Sequence, residues 1–302
     1  MKFYAENTWL PRLTVPLVRT SYSRDARGHL QRYINPVIGH LRLGELTTAE
    51  IANLRAHWLG QQKGLKTLSN AIQGTLRAMM REAIEVDKLI ERNPCDGLKW
   101  PRRTITPPDP LTIDERNAVL EHFRTKRPIY YPFIATLLFS GMRPGEAVAL
   151  RWSDIDLRKL RIQIRRSRVL GKESTQKTAN SERTITPVPE VVATLRAIYP
   201  LHADVATYVF VGRDGHPLNQ DRVNARQWRV ALRALNIRPR KMYACRHTFI
   251  SIALSAGTNL KYLADYCGTS VTMIEKRHGK FVGAGDEQLS RLTGGENGDI
   301  GR

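Results

Sequence analysis

Cysteine, aromatic residues and acidic residues are all scarce in this 302-residue chain, and each shortage excludes something. The three cysteines, Cys95, Cys245 and Cys267, stand too far apart for a zinc motif, and their odd number argues against a disulfide framework. A cytosolic protein is expected. No apolar run approaches the ~18 residues that a membrane span needs. Met1-Lys2-Phe3-Tyr4-Ala5-Glu6 opens without the apolar core of a signal peptide, so neither export nor a membrane partner is expected. Aromatic side chains make up 7% of the chain, and no aromatic-rich platform for single-stranded nucleic acid is evident. Acidic residues number 28 against 48 Lys and Arg, for a formal net charge of +20.

What is present is ordinary globular material with a basic surface. Hydrophobic residues reach 41%, enough to exclude a wholly disordered chain, and the length suits two domains, each with its own core. The charge calls for a polyanion. It favours nucleic acid over a merely solvated surface, a ribosome or anionic lipid, without separating DNA from RNA.

The first hundred residues read as helices. Ser23 to Ile34 carries Leu30, Tyr33 and Ile34 and is expected to end at Asn35-Pro36. Thr47-Thr48-Ala49-Glu50 has the form of a capping box before Ile51, Leu54, Trp58 and Leu59. Leu68, Ile72, Leu76, Met79, Met80 and Ile84 form one stripe between Lys66 and Asp87, and Lys88 to Arg92 reads as a short helix. Residues 99–110 hold four prolines among Lys and Arg, so they read as an extended basic linker. A second capping box, Thr112 to Glu115, opens a larger domain over residues 111–282. Helices are expected at 113–125, 129–140, from Pro144, and at 190–198, 219–235, 243–256, 259–266 and 271–278. Leu160, Ile162 and Ile164 alternate with Arg161, Gln163 and Arg165 as in a strand, with further strands at Val169 to Ser174 and Thr184 to Val188. The fold class is therefore mainly α with a small antiparallel β-sheet. Residues 283–302 are Gly-rich and weakly apolar, and are expected to be mobile unless a partner orders them.

Four clusters carry chemistry. Arg143 lies between Gly141, which suits a helix end, and Pro144, which suits a helix start, so it sits beside a positive helix terminus where a phosphate is well held. Taken by itself it is an ordinary turn arginine. Lys177 falls where a β-turn would project it, and a turn lysine is by default solvated. Arg246 and His247 stand side by side at the start of an apolar helix, a costly placement unless an anion meets them. The last, Tyr266 to Phe281, reads alone as an amphipathic helix with a basic end; Tyr262 and Tyr266 are expected to pack on its apolar face.

Together these clusters resemble the tyrosine recombinase (phage integrase) family. SGMRPGEAVALRWSDID (140–156) is similar to its first arginine box, QKTANSERTITPVP (176–189) to its lysine hairpin, YACRHTF (243–249) to its second arginine box, and GTSVTMIEKRHGKF (268–281) to its nucleophile helix. The resemblance spans nearly the whole chain, with residues 1–98 similar to a helical core-binding domain and 111–282 to a mixed α/β catalytic domain. It implies site-specific cleavage and rejoining of double-stranded DNA without metal or other cofactor, through a covalent 3′-phosphoprotein link. Arg143 and Arg246 would clamp the phosphate, where bidentate guanidinium groups suit the growing charge. Lys177 would protonate the departing 5′ oxygen. It further implies a homo-tetramer on DNA, clamping each duplex between the two domains, with the tail after Phe281 exchanged between copies. The basic surface would give affinity, and helices including Ser69 to Arg81 and the one with Trp228 would read the grooves. Cytoplasmic, nucleoid-associated action of a bacterial or phage-encoded integrase follows. An extra arm-binding domain before the core-binding pattern is not expected, and simple target sites without distant arm sequences are.

Three positions depart from the family pattern. Tyr243 stands where a histidine is usual and Thr269 where histidine or tryptophan is usual; both resemble a branch of the family. The third departure is at the nucleophile, where the expected tyrosine is His278. Three readings are open: an engineered trap, natural loss that leaves a DNA-binding relative, or an imidazole that attacks as a phosphoramidate former. Loss ranks above attack, because the shorter side chain must reach from a helix set for tyrosine. The alternative function is a non-cleaving DNA-binding regulator or architectural protein on the same scaffold. An RNA-binding or ribosome-associated helical protein is a more distant rival that leaves the Arg–Lys–Arg set unexplained.

Overall fold

A computed structural model describes residues 1–14, 17–18, 20–100, 107–175, 182–200 and 206–281. Lys177, part of the 99–110 linker and the 283–302 tail with its expected exchange between copies lie outside the described residues. The chain divides into two compact units, Met1–Thr104 and Ile105–Arg302.

The first unit is built from helices. One expected feature is overturned: the helix that opens at Thr20–His29 does not stop at Asn35-Pro36 but runs on through Leu30–Ile34 to Asn35–Ile38. The reason is local. The Asn35 N–H bonds back to Leu30 O, a five-residue turn, and this widened winding accommodates the proline ring that an ordinary turn would reject. Two further differences stand out. Residues from Lys2–Tyr4 through Leu10–Arg12 wind into a helix that sequence periodicity did not predict, whereas Lys88 to Arg92 is not helical. Thr47 caps the Thr48–Gly60 helix by accepting from Glu50 N at 3.3 Å. The last helix runs from Leu65–Ser69 through Asn70–Leu76 to Arg77–Glu85. Trp9, Leu30, Ile34, Ile51, Leu54, Ile72, Leu76 and Met79 form the core of this unit.

In the second unit the Thr112–Glu115 capping box closes in both directions, at 2.9 and 3.1 Å, and starts the Ile113–Lys126 helix. Among the described residues, five short strands follow the Tyr131–Ser140 and Pro144–Ala147 helices: β1 (Ile155–Asp156), β2 (Arg161–Ile164), β3 (Arg166–Val169), β4 (Lys172–Thr175) and β5 (Arg183–Ile185). They form an antiparallel sheet of order β1-β2-β5 and a separate β3-β4 hairpin. The expected strand from Val169 to Ser174 is thus interrupted, because Leu170 and Gly171 both take positive φ and turn the chain. Ile162 and Ile164 of β2 face the core with Ile185, Phe123, Phe133, Leu137 and Trp228, as alternation requires. A smaller cluster, Ile250, Leu254, Leu263, Cys267 and Ile274, joins the Ala244–Ser255, Leu260–Cys267 and Val271–His278 helices. These last three helices carry the C-terminal half of the candidate site. Overall the chain is mostly helical with small antiparallel sheets.

Candidate active site

Arg143 is placed by two backbone devices. The Tyr131–Ser140 helix ends on Gly141 at φ +61°, where a Cβ would meet Phe249 Cδ1 at 2.4 Å, so only glycine turns the chain here. Pro144 then starts the next helix, with Arg143 at its N-cap. Glu146 accepts from the Arg143 backbone N–H at 2.9 Å and from its Nη1 at 2.7 Å. Arg143 Nη2 donates to Gly268 O at 2.6 Å. The side chain stays 35% exposed, so an anion can still reach it.

Arg183, at the start of β5, meets the same carboxylate. Its Nη2 and Nη1 donate to the two Glu146 oxygens at 2.9 and 3.2 Å, and its Nε donates to Tyr266 O at 2.8 Å. Burial by itself would raise the Glu146 carboxyl; the Arg183 hydrogen bonds and the charges of Arg183 and Arg143 outweigh it and hold the group at about 2. Burial opposes the Arg143 charge as well, but Glu146 and Tyr243 overcome it and keep that guanidinium above its usual value. Sequence reasoning gives Arg183 no role. A charged residue at the start of a short strand looks solvent-facing by composition alone.

Arg246 sits in the first turn of the Ala244–Ser255 helix, 2% exposed, with Nη1 donating to Gly141 O at 2.8 Å. Burial pushes this guanidinium below its usual value, with the Arg143 charge adding to the shift. It forms no salt bridge among the described residues. Three guanidinium groups therefore act around one carboxylate in a poorly solvated place. Such an excess of positive charge is costly unless an anion completes it, and phosphate geometry suits it.

Tyr243, exposed at the N-cap of the same helix, lies edge-on to His247 at 5.0 Å between ring centroids. His247 Nδ1 is 3.1 Å from His278 Nε2, and His278 Nδ1 is 3.0 Å from Ser251 Oγ. His278 is 2% exposed at the end of the Val271–His278 helix. Burial, reinforced for His278 by His247 and for both by Arg246 and Arg277, lowers each imidazole to about 4. Both nitrogens of the His278 ring are therefore committed, one to a serine and one to a second ring. Thr269 follows Gly268, whose φ of +64° ends the Leu260–Cys267 helix, and its backbone N–H bonds Ala264 O at 2.9 Å. Its hydroxyl makes no hydrogen bond among the described residues.

The structure thus brings Arg143, Tyr243 and Arg246 within reach of one another's charge, and links His278 to them through His247. Tyr266 stacks on Phe249 at 5.7 Å as a packing residue, but Tyr262 is 58% exposed and does not pack inward. Trp228 is fully buried, with Nε1 donating to Arg240 O at 2.9 Å. The groove-reading expectation therefore falls on its neighbours: exposed Arg222 and Arg226 line a cavity of about 580 Å³ with Arg168 and Arg213. Among the described residues no cluster of three or more His, Cys, Asp or Glu could hold a metal ion, and no helix is long and apolar enough to cross a membrane.

The phage integrase family model matches residues 110–276. Prophage integrase IntR of Escherichia coli K12 is 29% identical over 255 residues, which is 76% of this chain and 61% of IntR. The integrase of Mycobacterium phage L5 is 34% identical over 179 residues, 56% of this chain and 45% of the phage protein. The chain thus spans less than two thirds of the length of these curated relatives. Among solved structures, the Tn1549 transposon integrase in complex with transposon right end DNA superposes with a TM-score of 0.77 at 19% identity, covering 97% of this chain and 99% of that one. A lambda integrase dimer bound to a COC' core site gives 0.70 at 17% identity, with 91% and 76% covered. These likenesses show a shared fold.

Proposed function

The chain belongs to the phage integrase family, and on that premise we propose that it is a site-specific DNA recombinase of the tyrosine type whose cleavage is impaired by His278. The observation that carries the reading is the arginine cluster: the buried Arg183 and Arg246 and the partly exposed Arg143 gathered about the carboxylate of Glu146. A backbone phosphodiester supplies the missing negative charge.

In the reaction proposed, which needs tyrosine at position 278, the phenol releases its proton to solvent and its oxygen attacks phosphorus as the bond to the 5′ oxygen breaks. Arg143 and Arg246 hold the non-bridging oxygens as their charge grows. Lys177 gives a proton to the departing 5′ oxygen. Attack by a new 5′ hydroxyl reverses the step and restores the side chain. Tyr243 borders the clamp through Arg143, and Thr269 lies beside the Gly268 carbonyl that anchors it.

Histidine at 278 serves this chemistry poorly. The ring is buried, and the contacts with Ser251 and His247 occupy both nitrogens, so the one lone pair of the neutral ring is not presented to a phosphate. This favours loss of the nucleophile over a phosphohistidine, and it supports the second reading, a DNA-binding regulator or architectural protein that does not cut. The substrate proposed is duplex DNA, bound by the basic surface and the face with Arg222 and Arg226, with four copies joining two duplexes. Relaxation of supercoiled plasmid by the His278→Tyr variant, but not by the chain as it stands, tests the recombinase reading. Competition between duplex DNA and RNA tests the substrate class.

A further inference from the structure

We propose that Arg183 is a positioning residue for Arg143, acting through Glu146 and the Gly268 turn; the proposal rests on the reading of Arg143 as a phosphate-binding group. Among the contacts that hold the Arg143 side chain, beside Tyr243, are the Glu146 carboxylate at 2.7 Å and the Gly268 carbonyl at 2.6 Å. Arg183 controls both. Its two Nη atoms meet the two Glu146 oxygens, and its Nε bonds the Tyr266 carbonyl at 2.8 Å, two residues before Gly268. At Gly268 itself a Cβ would lie 2.7 Å from Arg183 Nη1, so the turn is built against this guanidinium.

Charge gives the contact a purpose. A buried carboxylate facing one arginine forms a two-pronged neutral pair, and that pairing would take Arg143 out of use. Arg183 holds Oε2 and shares Oε1, to which Arg143 donates through Nη1. Arg183 is the better placed of the two for a permanent partner, with its side chain 8% exposed against 35% for Arg143. The division of labour is that Arg183 neutralises Glu146 while Arg143 remains a cation that an anion can still reach. Arg183 touches no substrate in this scheme.

The test is binding of inorganic phosphate to the whole chain, followed at the Arg143 Nε–Hε signal by NMR at constant ionic strength. Arg183→Gln should weaken phosphate binding about tenfold, the size of one charge-assisted contact, and Arg183→Lys should recover part of that loss. The decisive step is a double-mutant cycle. In a Glu146→Gln background, which keeps the Arg143 signal, Arg183→Gln should cost less than about twofold more, because its route to the site is already cut. Effects that simply add, or a melting point that falls while phosphate affinity holds, would assign Arg183 to fold stability and overturn the proposal. If Arg183→Gln does not fold, Arg183→Lys carries the same cycle. No response of Arg143 to phosphate in the unsubstituted chain contradicts the phosphate reading and this proposal with it; a response that no Arg183 variant changes contradicts the proposal alone.

Discussion

His278 Nε2 lies 3.1 Å from His247 Nδ1, and this contact joins the end of the Val271–His278 helix to the helix that carries Arg246. One ring of the pair must donate and the other accept, so the contact exists only while at least one imidazole nitrogen is unprotonated. The position expected to hold a nucleophile is thus occupied by a group that fastens two helices together.

Acid should loosen this fastening first. Both imidazoles are lowered to about 4 in the fold, chiefly by burial, against an ordinary value near 6.5. The unfolded chain therefore binds more protons than the folded one as pH falls from about 6.5 through 4, and stability is lost across that window. His29 and His122 shift the same way, so the diagnostic quantity is a difference. Denaturant midpoints measured against pH should fall less steeply in His278→Asn than in the parent chain. Parallel profiles would contradict the account.

The two clamp arginines should separate catalysis from affinity. In a His278→Tyr background, Arg143→Ala and Arg246→Ala should each cut the cleavage rate by roughly 10²–10³-fold, as removal of a preorganised donor does. Dissociation constants for duplex DNA should move little, because many other cations share the backbone contact. Arg246→Ala should also lower the melting point more than Arg143→Ala, since it strips the buried Gly141 carbonyl of its partner. A folded variant that no longer binds DNA at all would refute the assignment.

Trp228 and its exposed neighbours should behave oppositely. Trp228→Ala should cost about 3–5 kcal/mol of stability, the usual cost for a large buried ring, and leave DNA affinity per folded molecule unchanged. Arg222→Ala and Arg226→Ala should leave the melting point alone. Each should reduce the slope of log affinity against log salt, by roughly 0.9 for every phosphate that the arginine neutralises. Salt-independent binding by the parent chain would remove the basis for reading its charge as a DNA footprint.

The fold is legible in the sequence where local chemistry decides it. The Thr112–Glu115 box, the β2 alternation and the helix starting at Ala244 are short-range signals, and tertiary structure leaves them in place. Pro36 misleads because a proline stop assumes regular winding, and the wider turn at Leu30 removes the clash. Val169 to Ser174 hides a turn because Leu170 carries no turn signature although its φ is positive. Of the candidate site, Arg143 and Arg246 stand out by their flanking helix signals. Arg183 does not: its meaning depends on Glu146 and Tyr266, brought together from 37 and 83 residues away. The Ser251–His278–His247 chain is equally invisible, since a helical position predicts a face and not a hydrogen-bond partner.

The central claim is most directly tested by covalent capture on a denaturing gel, using labelled duplex DNA with a nick that traps the cleaved strand. The chain as it stands should bind its target without forming an adduct, because the His278 nitrogens are buried and engaged. His278→Tyr should form a 3′-phosphotyrosyl adduct, and further substitution of Arg143, Lys177 or Arg246 should abolish it. An acid-labile adduct from the unsubstituted chain would reveal a phosphohistidine, and absence of any adduct from His278→Tyr on DNA it demonstrably binds would contradict the recombinase reading.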